Sequence, residues 1–177
     1  MDTRVTVVIL AAGLGTRMKS RRAKVLHQAG GKTLIEHTVD TALSLASPER
    51  VFVVVGHQAD EVRTAVAARG VGFIQQTEQK GTGHALMAGR ESLEGLGGLL
   101  VVYYGDCPQI PAALLQSLVE HQSRSDAAAT LVAAELDDPT GYGRVIREGH
   151  SAFVLPSCTM ASMRTLLISS VARKRRA

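Results

Sequence analysis

Apolar, β-branched runs that alternate with helix-period segments constrain the fold of this chain most strongly. Short buried runs predict strands, and segments with apolar residues three or four apart predict helices between them. The predicted strands are 5–10, 51–56, 72–76, 99–106 and 127–136, and the predicted helices are 33–45, 60–69, 83–93 and one starting at Pro111. This order predicts an α/β fold, with a Rossmann-like, mostly parallel sheet between helices and ligands beyond the carboxyl ends of its strands.

Length and composition agree with one soluble α/β domain. The chain has 177 residues, of which 45% are hydrophobic and 3% aromatic, so Val, Leu, Ile and Ala must build the core. Cys107 and Cys158 are the only cysteines, which favours a reducing, cytoplasmic setting without disulfides. The first apolar run, residues 5–12, stops at a glycine turn and reads as a strand rather than a signal peptide. No run is long enough for a membrane helix.

The distribution of charge argues against nucleic acid as a partner. The formal net charge is +4, but residues 151–177 hold five basic residues and no acidic one, so residues 1–150 are close to neutral. No aromatic residues are interleaved with the basic tail to stack on bases. We interpret the tail as a solvated end; a nucleic-acid site there would give an affinity that falls steeply with salt.

The stretch "LAAGLGTRMKS", residues 10–20, resembles a phosphate-binding loop. It is no dinucleotide fingerprint, because Met18 stands at the third glycine position and the second strand ends in Gly56 and His57 instead of an acid. It is no ATPase loop either, because Leu26 stands where that motif needs glycine before "GKT". What remains is a glycine loop flanked by the cations Arg17 and Lys24, which suits a triphosphate. The alternative is a plain strand-to-helix turn with solvated basic residues.

Several motifs together resemble one enzyme family. They are "LAAGLGTRM", "KVLH", "GHQADEVR", "QQTEQKGTGHA", "YGDCP" and "DDPTGYGRV". The chain is similar, over residues 4–148, to the N-terminal uridylyltransferase domain of the bacterial bifunctional UDP-N-acetylglucosamine pyrophosphorylase / glucosamine-1-phosphate N-acetyltransferase. "GxGTRM" is shared by many sugar-nucleotide pyrophosphorylases, whereas "EQxGTGHA" and "DDPTGYGR" are more specific.

The resemblance implies a role for each motif residue. Arg17 and Lys24 are the expected phosphate-binding catalytic pair, and Asp106 is the expected ligand of Mg²⁺, the implied cofactor. Gln76 is expected to read the uracil edge. The remaining expected contacts to nucleotide and sugar are Leu10, Ala11, Ala12, Gly13, Gly81, Thr82, Tyr104, Gly105 and Gly141.

Each of these positions also has a plainer interpretation. Asp106 could cap the helix near Pro111, Gln76 could be an exposed residue at a strand end, and Gly141 could simply form a turn. His84 is more plausible as a packing residue at a helix start than as a catalytic base.

The implied reaction transfers UMP from UTP to N-acetylglucosamine 1-phosphate, yielding UDP-N-acetylglucosamine, a peptidoglycan precursor, and pyrophosphate. The sugar phosphate itself attacks the α-phosphorus, so no protein nucleophile is needed and catalysis rests on positioning and charge neutralisation. The partners are then small molecules, without nucleic acid or membrane, and the oligomeric state stays open. The alternatives are another sugar-phosphate nucleotidylyltransferase or a nucleotide-binding module without activity.

After residue 148 the resemblance ends. The final segment contains no Glu, Asp or Asn after Glu148, so the family's later contacts to sugar and metal cannot be transferred. We therefore expect a nucleotidyltransferase part at 1–148 and an atypical basic tail at 149–177, from a frameshift or a truncated gene product. Loss of the later strands would leave an unpaired sheet edge and favour aggregation. The other two reading frames of the gene test the frameshift.

Overall fold

The fold is taken from a computed structural model that describes residues 4–13, 20–125, 127–134, 137–138, 140, 144–148, 151–155 and 170–173. The strands are β1 (Val5–Leu10), β2 (Gln28–Ala29), β3 (Lys32–Thr33), β4 (Val51–Val55), β5 (Gly72–Gln75), β6 (Leu99–Tyr104), β7 (Ala129–Leu131), β8 (Arg144–Glu148), β9 (Ser151–Leu155) and β10 (Ser170–Arg173). The α-helices are α1 (Leu34–Leu43), α2 (Ala59–Val66), α3 (Thr82–Ala88), α4 (Arg90–Leu93) and α5 (Ala112–Arg124). Among the described residues, short 3₁₀ helices cover Lys24–Leu26, Pro48–Arg50 and Ala67–Arg69.

Six strands form the central sheet, in the order β5-β4-β1-β6-β10-β7. β5, β4, β1 and β6 are parallel neighbours, and β10 runs antiparallel between β6 and β7. The predicted mostly parallel, Rossmann-like sheet is therefore confirmed. The direction of winding reverses between β1 and β6, which is where open α/β sheets bind their ligands.

Successive side chains of the parallel strands enter two different cores. Val7 and Ile9 of β1 pack with α1, α2 and α5 on one face, while Val8 packs on the opposite face with Ala85 and other residues of α3 and α4. All three β1 side chains have no exposed surface. Helices on both faces explain why these strands are almost continuously apolar in the sequence.

The predicted strands and α-helices agree with the observed ones except at four places. The structure contains the short strands β2 and β3 before α1, which the sequence patterns did not predict. The helix predicted for 83–93 is interrupted at Gly89, where a Cβ would come within 2.6 Å of Ile74 Cδ1 on β5. The strand predicted for 127–136 is reduced to β7. The sequence patterns assigned no element after residue 136, whereas the structure contains β8, β9 and β10 there.

The position of β10 changes the expected sheet edge. Ser170–Arg173 pairs with both β6 and β7, so part of the segment after residue 148 lies inside the sheet. An unpaired edge was expected from loss of the later strands; among the described strands, β10 is paired on both sides and β7 ends the sheet. Within the described ranges, no helix is long and apolar enough to cross a membrane.

Candidate active site

The carboxyl ends of four parallel strands meet at one edge of the sheet. Leu10 of β1 is in register with Val54 of β4 on one side and with Tyr104 of β6 on the other. Val55 is in register with Gln75 of β5. The segments that follow are therefore neighbours, and their backbone hydrogen bonds continue the sheet: Gly105 N donates to Leu10 O, Ala11 N to Val54 O and Gln76 N to Val55 O, at 3.0, 2.9 and 2.8 Å.

Lys24 and Asp106 form an ion pair at this edge. Lys24 Nζ lies 2.6 Å from Asp106 Oδ2, and the side chains are 44% and 27% exposed. The cation expected to bind phosphate and the carboxylate expected to bind Mg²⁺ thus occupy one place. Because both groups remain partly open to solvent, an anion could exchange for the carboxylate and a cation for the ammonium group.

The short 3₁₀ helix Lys24–Leu26 explains how Lys24 reaches this edge. Val25 and Leu26 are buried in the core and anchor the turn, which leaves Lys24 at the surface. Immediately before it, the backbone N–H of Ala23 donates to the side-chain oxygen of Gln58. The position of Lys24 is therefore tied to the loop between β4 and α2.

Gln58 makes this contact from a conformation that is unusual for a residue with a side chain. Its φ is 53°, in the left-handed region, and it is the N-cap of α2. Its side-chain nitrogen donates to Glu61 Oε1 at 2.8 Å, so the oxygen faces Ala23. The motif "GHQADEVR" contributes to the family resemblance, but sequence reasoning assigned no role to Gln58. A polar residue directly before the helical run was the available signal.

The nucleotide-binding residues expected on β1 and β6 are close-packed. Ala11 and Ala12 are buried, so they could contact a ligand only through their backbone. A Cβ on Gly105 would lie 3.0 Å from Ile35 Cδ1 and 3.3 Å from Ala11 Cβ. A side chain at position 105 would therefore be tightly packed against α1, whereas Gly13 is exposed and has open space around it.

Gln76 is buried and hydrogen-bonded instead of exposed at a strand end. Its side chain is 4% exposed. Nε2 lies 3.3 Å from Gly81 O and 3.1 Å from His84 Nδ1. The exposed alternative for Gln76 is wrong. His84 is bonded to the residue expected to read the base, a connection that sequence spacing did not reveal.

Gly81 and Thr82 start the helix beside Gln76. Gly81 is the N-cap of α3 with a φ of 93°, a conformation that favours glycine. Both residues are exposed. The "GTG" stretch therefore brings a backbone turn to the carboxyl edge, where a ligand could approach it closely.

Asp106 does not cap the helix that follows it. Pro111 is the N-cap of α5, and no side chain caps that helix end. Asp106 accepts a weak hydrogen bond from the Cys107 thiol on Oδ1 at 3.6 Å and faces Lys24 with Oδ2. The capping alternative for Asp106 is wrong.

The donor set around Asp106 suits Mg²⁺ only together with a phosphate ligand. Among the described residues, no group of three or more His, Cys, Asp or Glu side chains could hold a metal ion. Mg²⁺ is commonly held by one or two carboxylates, with waters and substrate phosphate oxygens completing its octahedron. A single partly exposed carboxylate, at the edge where the triphosphate is expected, fits that arrangement.

Cys107 lies next to this carboxylate and is not an activated nucleophile. Burial, and then the negative charge of Asp106, raise the pKa of the thiol to about 11. The thiol therefore stays protonated at neutral pH. This agrees with a reaction that needs no protein nucleophile.

Most of the expected site residues lie around this edge. The positions that the structure brings to the carboxyl ends of the parallel strands are Leu10, Ala11, Ala12, Gly13, Lys24, Gln76, Gly81, Thr82, Tyr104, Gly105 and Asp106. Arg17 and Gly141 lie outside the described residues. An apolar groove of about 460 Å³ lies at the opposite edge, between α3, α4 and the start of β6, and holds none of the expected residues.

Solved structures of other proteins share this fold. One is described as mannose-1-phosphate geranyltransferase from Thermus thermophilus, with a TM-score of 0.75 and 20% identity over 95% of this chain and 57% of that one. Another is CMP:2-keto-3-deoxy-manno-octonic acid synthetase complexed with CTP, with a TM-score of 0.70 and 18% identity over 97% of this chain and 74% of that one. This chain therefore has the nucleotide-diphospho-sugar transferase fold.

Curated relatives are closer in sequence. The bifunctional protein GlmU of Solibacter usitatus is 61% identical over 152 residues, which are 85% of this chain and 33% of that protein. GlmU of Koribacter versatilis is 42% identical over 147 residues, 83% of this chain and 31% of that protein. The chain thus spans about a third of the length of these relatives.

A family model covers almost the whole chain. The model of the MobA-like NTP transferase domain matches residues 7–173. This range includes the glycine-rich loop, Lys24, Gln76 and Asp106 as well as most of the six-stranded sheet. The chain therefore belongs to the MobA-like NTP transferase domain family.

Proposed function

We propose that this chain transfers UMP from UTP to N-acetylglucosamine 1-phosphate and releases pyrophosphate. The observation that carries the proposal is the Lys24–Asp106 pair at the carboxyl edge of a nucleotidyltransferase fold. The identity of 61% to a GlmU supports the choice of substrates. Residues 1–148 are the proposed nucleotidyltransferase part, and 149–177 the atypical tail.

The uridine part of UTP is proposed to bind between the ends of β1 and β5. Backbone groups of residues 10–13 would contact the nucleoside, since Ala11 and Ala12 turn their side chains into the core. Gln76, Gly81 and Thr82 would face the base from the other side. Tyr104 and Gly105 flank the same cleft from β6, because Tyr104 is in register with Leu10.

The triphosphate is proposed to lie over Lys24 and Arg17. The ammonium group of Lys24 would leave Asp106 for the phosphate oxygens, where it neutralises charge that builds up as the α-phosphorus is attacked. Asp106, with the phosphate oxygens, would hold Mg²⁺, whose charge offsets that of the triphosphate when bound. Gly141 is the proposed contact to the sugar.

The phosphate of the sugar substrate is the attacking group. Its oxygen forms a bond to the α-phosphorus of UTP while the bond to the pyrophosphate oxygen breaks, and UDP-N-acetylglucosamine and pyrophosphate leave. The protein's contribution is to hold both phosphates in line and to stabilise their charge. A protonated Cys107 beside Asp106 takes no part in this step.

A substrate panel tests the proposal. Pyrophosphate release is measured with UTP, dTTP or CTP, each combined with N-acetylglucosamine 1-phosphate or glucose 1-phosphate. The expected result is release mainly with UTP and the acetamido sugar. A preference for dTTP or CTP would indicate another sugar-phosphate nucleotidylyltransferase, and UTP binding without release would indicate a nucleotide-binding module.

A further inference from the structure

The side-chain amide of Gln76 is held in one orientation by two acceptors. Gly81 O is a carbonyl oxygen and can only accept a hydrogen bond, so the Gln76 atom 3.3 Å from it is the nitrogen Nε2. The same nitrogen is 3.1 Å from His84 Nδ1. With one N–H directed to each partner, both donors of the amide are used.

This orientation determines the tautomer of His84. Gln76 Nε2 donates one hydrogen to Gly81 O and presents its second hydrogen to the imidazole of His84. Nδ1 of His84 must therefore be an unprotonated acceptor, and the neutral ring carries its proton on His84 Nε2. His84 lies in the first turn of α3 and is partly buried. A proton on Nδ1 would set two donors against each other.

The remaining atom of the amide is an acceptor at the carboxyl edge. Gln76 Oε1 accepts no hydrogen bond from the described residues, although the side chain is only 4% exposed. An acceptor in this position selects a ligand with a matching N–H group.

We propose that His84 is a positioning residue for base selection, because it fixes Gln76 with Oε1 toward the base. This inference rests on the proposed binding of a uridine nucleotide at this edge. Uracil carries a hydrogen on N3 and can donate to Oε1, whereas N3 of cytosine is an acceptor and would be repelled. Without the His84 contact, only the longer bond to Gly81 O, at 3.3 Å, restrains the amide. The amide then rotates more readily and can offer Nε2 to cytosine, so the preference for UTP over CTP falls.

The test measures the affinity of the full chain for UTP and CTP by calorimetry with Mg²⁺, for the wild type, His84→Ala and His84→Asn. Asparagine can place an oxygen acceptor close to the position of Nδ1. We expect His84→Ala to lower the ratio of UTP affinity to CTP affinity about tenfold, which corresponds to the loss of one hydrogen bond between neutral groups. His84→Asn should restore most of this ratio. A loss of protein stability alone would not change this ratio.

The outcomes separate this inference from the proposed function. If the wild type prefers UTP and His84→Ala keeps that preference, the role of His84 is wrong while the proposed function stands. If the wild type binds neither nucleotide, or prefers CTP, both are wrong.

A second measurement uses the wild type alone, so it does not depend on the folding of a variant. Nitrogen NMR of the wild type at mildly alkaline pH should show His84 with its proton on Nε2. A proton on Nδ1 would overturn the proposal.

Discussion

Lys24 Nζ contacts Asp106 Oδ2 at 2.6 Å, although the two residues belong to different parts of the chain. Lys24 precedes α1 in a 3₁₀ turn, and Asp106 follows β6. In the absence of nucleotide and metal, each group compensates the charge of the other. The pair therefore holds an ammonium group and a carboxylate where the triphosphate and the divalent cation are proposed to bind.

Removing the cation should affect turnover much more than folding. The Lys24–Asp106 pair is partly exposed and contributes about 0–1 kcal/mol to the free energy of unfolding. Loss of a group that stabilises transition-state charge costs about a hundredfold in rate. We expect Lys24→Ala to lower pyrophosphate release by about that factor with little change in melting temperature.

Lys32→Ala is the matched control for Lys24→Ala. Lys32 is similarly exposed and pairs at 2.8 Å with Asp40, which also binds Arg69 just before the amino end of β5. Its removal should leave turnover unchanged. Equal losses in both variants would contradict the role of Lys24.

Substitution by alanine should change protein stability in opposite directions at Gly81 and Gly83. Gly81 has a φ of 93°, so Gly81→Ala strains the backbone by about 1–3 kcal/mol and moves the carbonyl that Gln76 contacts. Gly83 lies inside α3 with open space around its Cα, so Gly83→Ala should stabilise the chain by up to about 1 kcal/mol. Urea unfolding and UTP titration measure both effects.

Only Gly81→Ala should weaken UTP binding. If Gly83→Ala weakened it equally, the turn geometry at Gly81 would not be the feature that matters.

The Cys107 thiol reports on the charge of Asp106. Burial and then the Asp106 carboxylate raise the thiol pKa, so Asp106→Asn should lower this pKa and increase the thiolate fraction. In a Cys158→Ser background, Cys107 is the single cysteine. Alkylation by iodoacetamide at about pH 9 should then be faster in Asp106→Asn than with Asp106 present. An unchanged rate would mean that Asp106 does not act on the thiol.

Acid should weaken the ion pairs that Asp40 on α1 forms with Lys32 and Arg69. Asp40 is partly buried, which raises its pKa, but hydrogen bonds from Arg69 and Lys32 outweigh this and leave the pKa below its usual value. A lowered folded-state pKa gives stability that is present above about pH 4, the unfolded value, and is lost as the pH falls through the folded value. The loss should be about 1 kcal/mol, since the Asp40 side chain is 37% exposed.

Asp40→Asn isolates this contribution. Urea unfolding of the variant at a series of pH values should show a smaller decrease of the unfolding free energy below about pH 4, because the variant has no carboxyl group to titrate at this position. A decrease as steep as in the wild type would assign the acid sensitivity to other carboxylates.

The parallel sheet was predictable because the pattern that identifies its strands is local. Val7 and Ile9 enter one core and Val8 the other, so β1 appears in the sequence as an unbroken apolar run. The start of α1 has an equally local signal, because Thr33 and Glu36 form a capping box that needs only four consecutive residues.

Features that depend on contacts between distant segments were not predictable. Gly89, where the predicted helix is interrupted, packs closely against Ile74, and β10 is positioned by pairing with β6 and β7. At the site, the motifs that carry the family resemblance were enough to identify Lys24, Gln76 and Asp106 as candidate site residues. The Lys24–Asp106 contact, and the bond from Gln76 to His84, required the folded chain.

Pyrophosphate release from UTP and N-acetylglucosamine 1-phosphate, with and without Mg²⁺, tests the role of the carboxyl edge most directly. The wild type is compared with Asp106→Asn and with Glu94→Gln, whose exposed carboxylate lies at the opposite edge. We predict release that requires Mg²⁺, is retained in Glu94→Gln and is lost in Asp106→Asn. Metal-dependent release that survives in Asp106→Asn would contradict the assignment of the site.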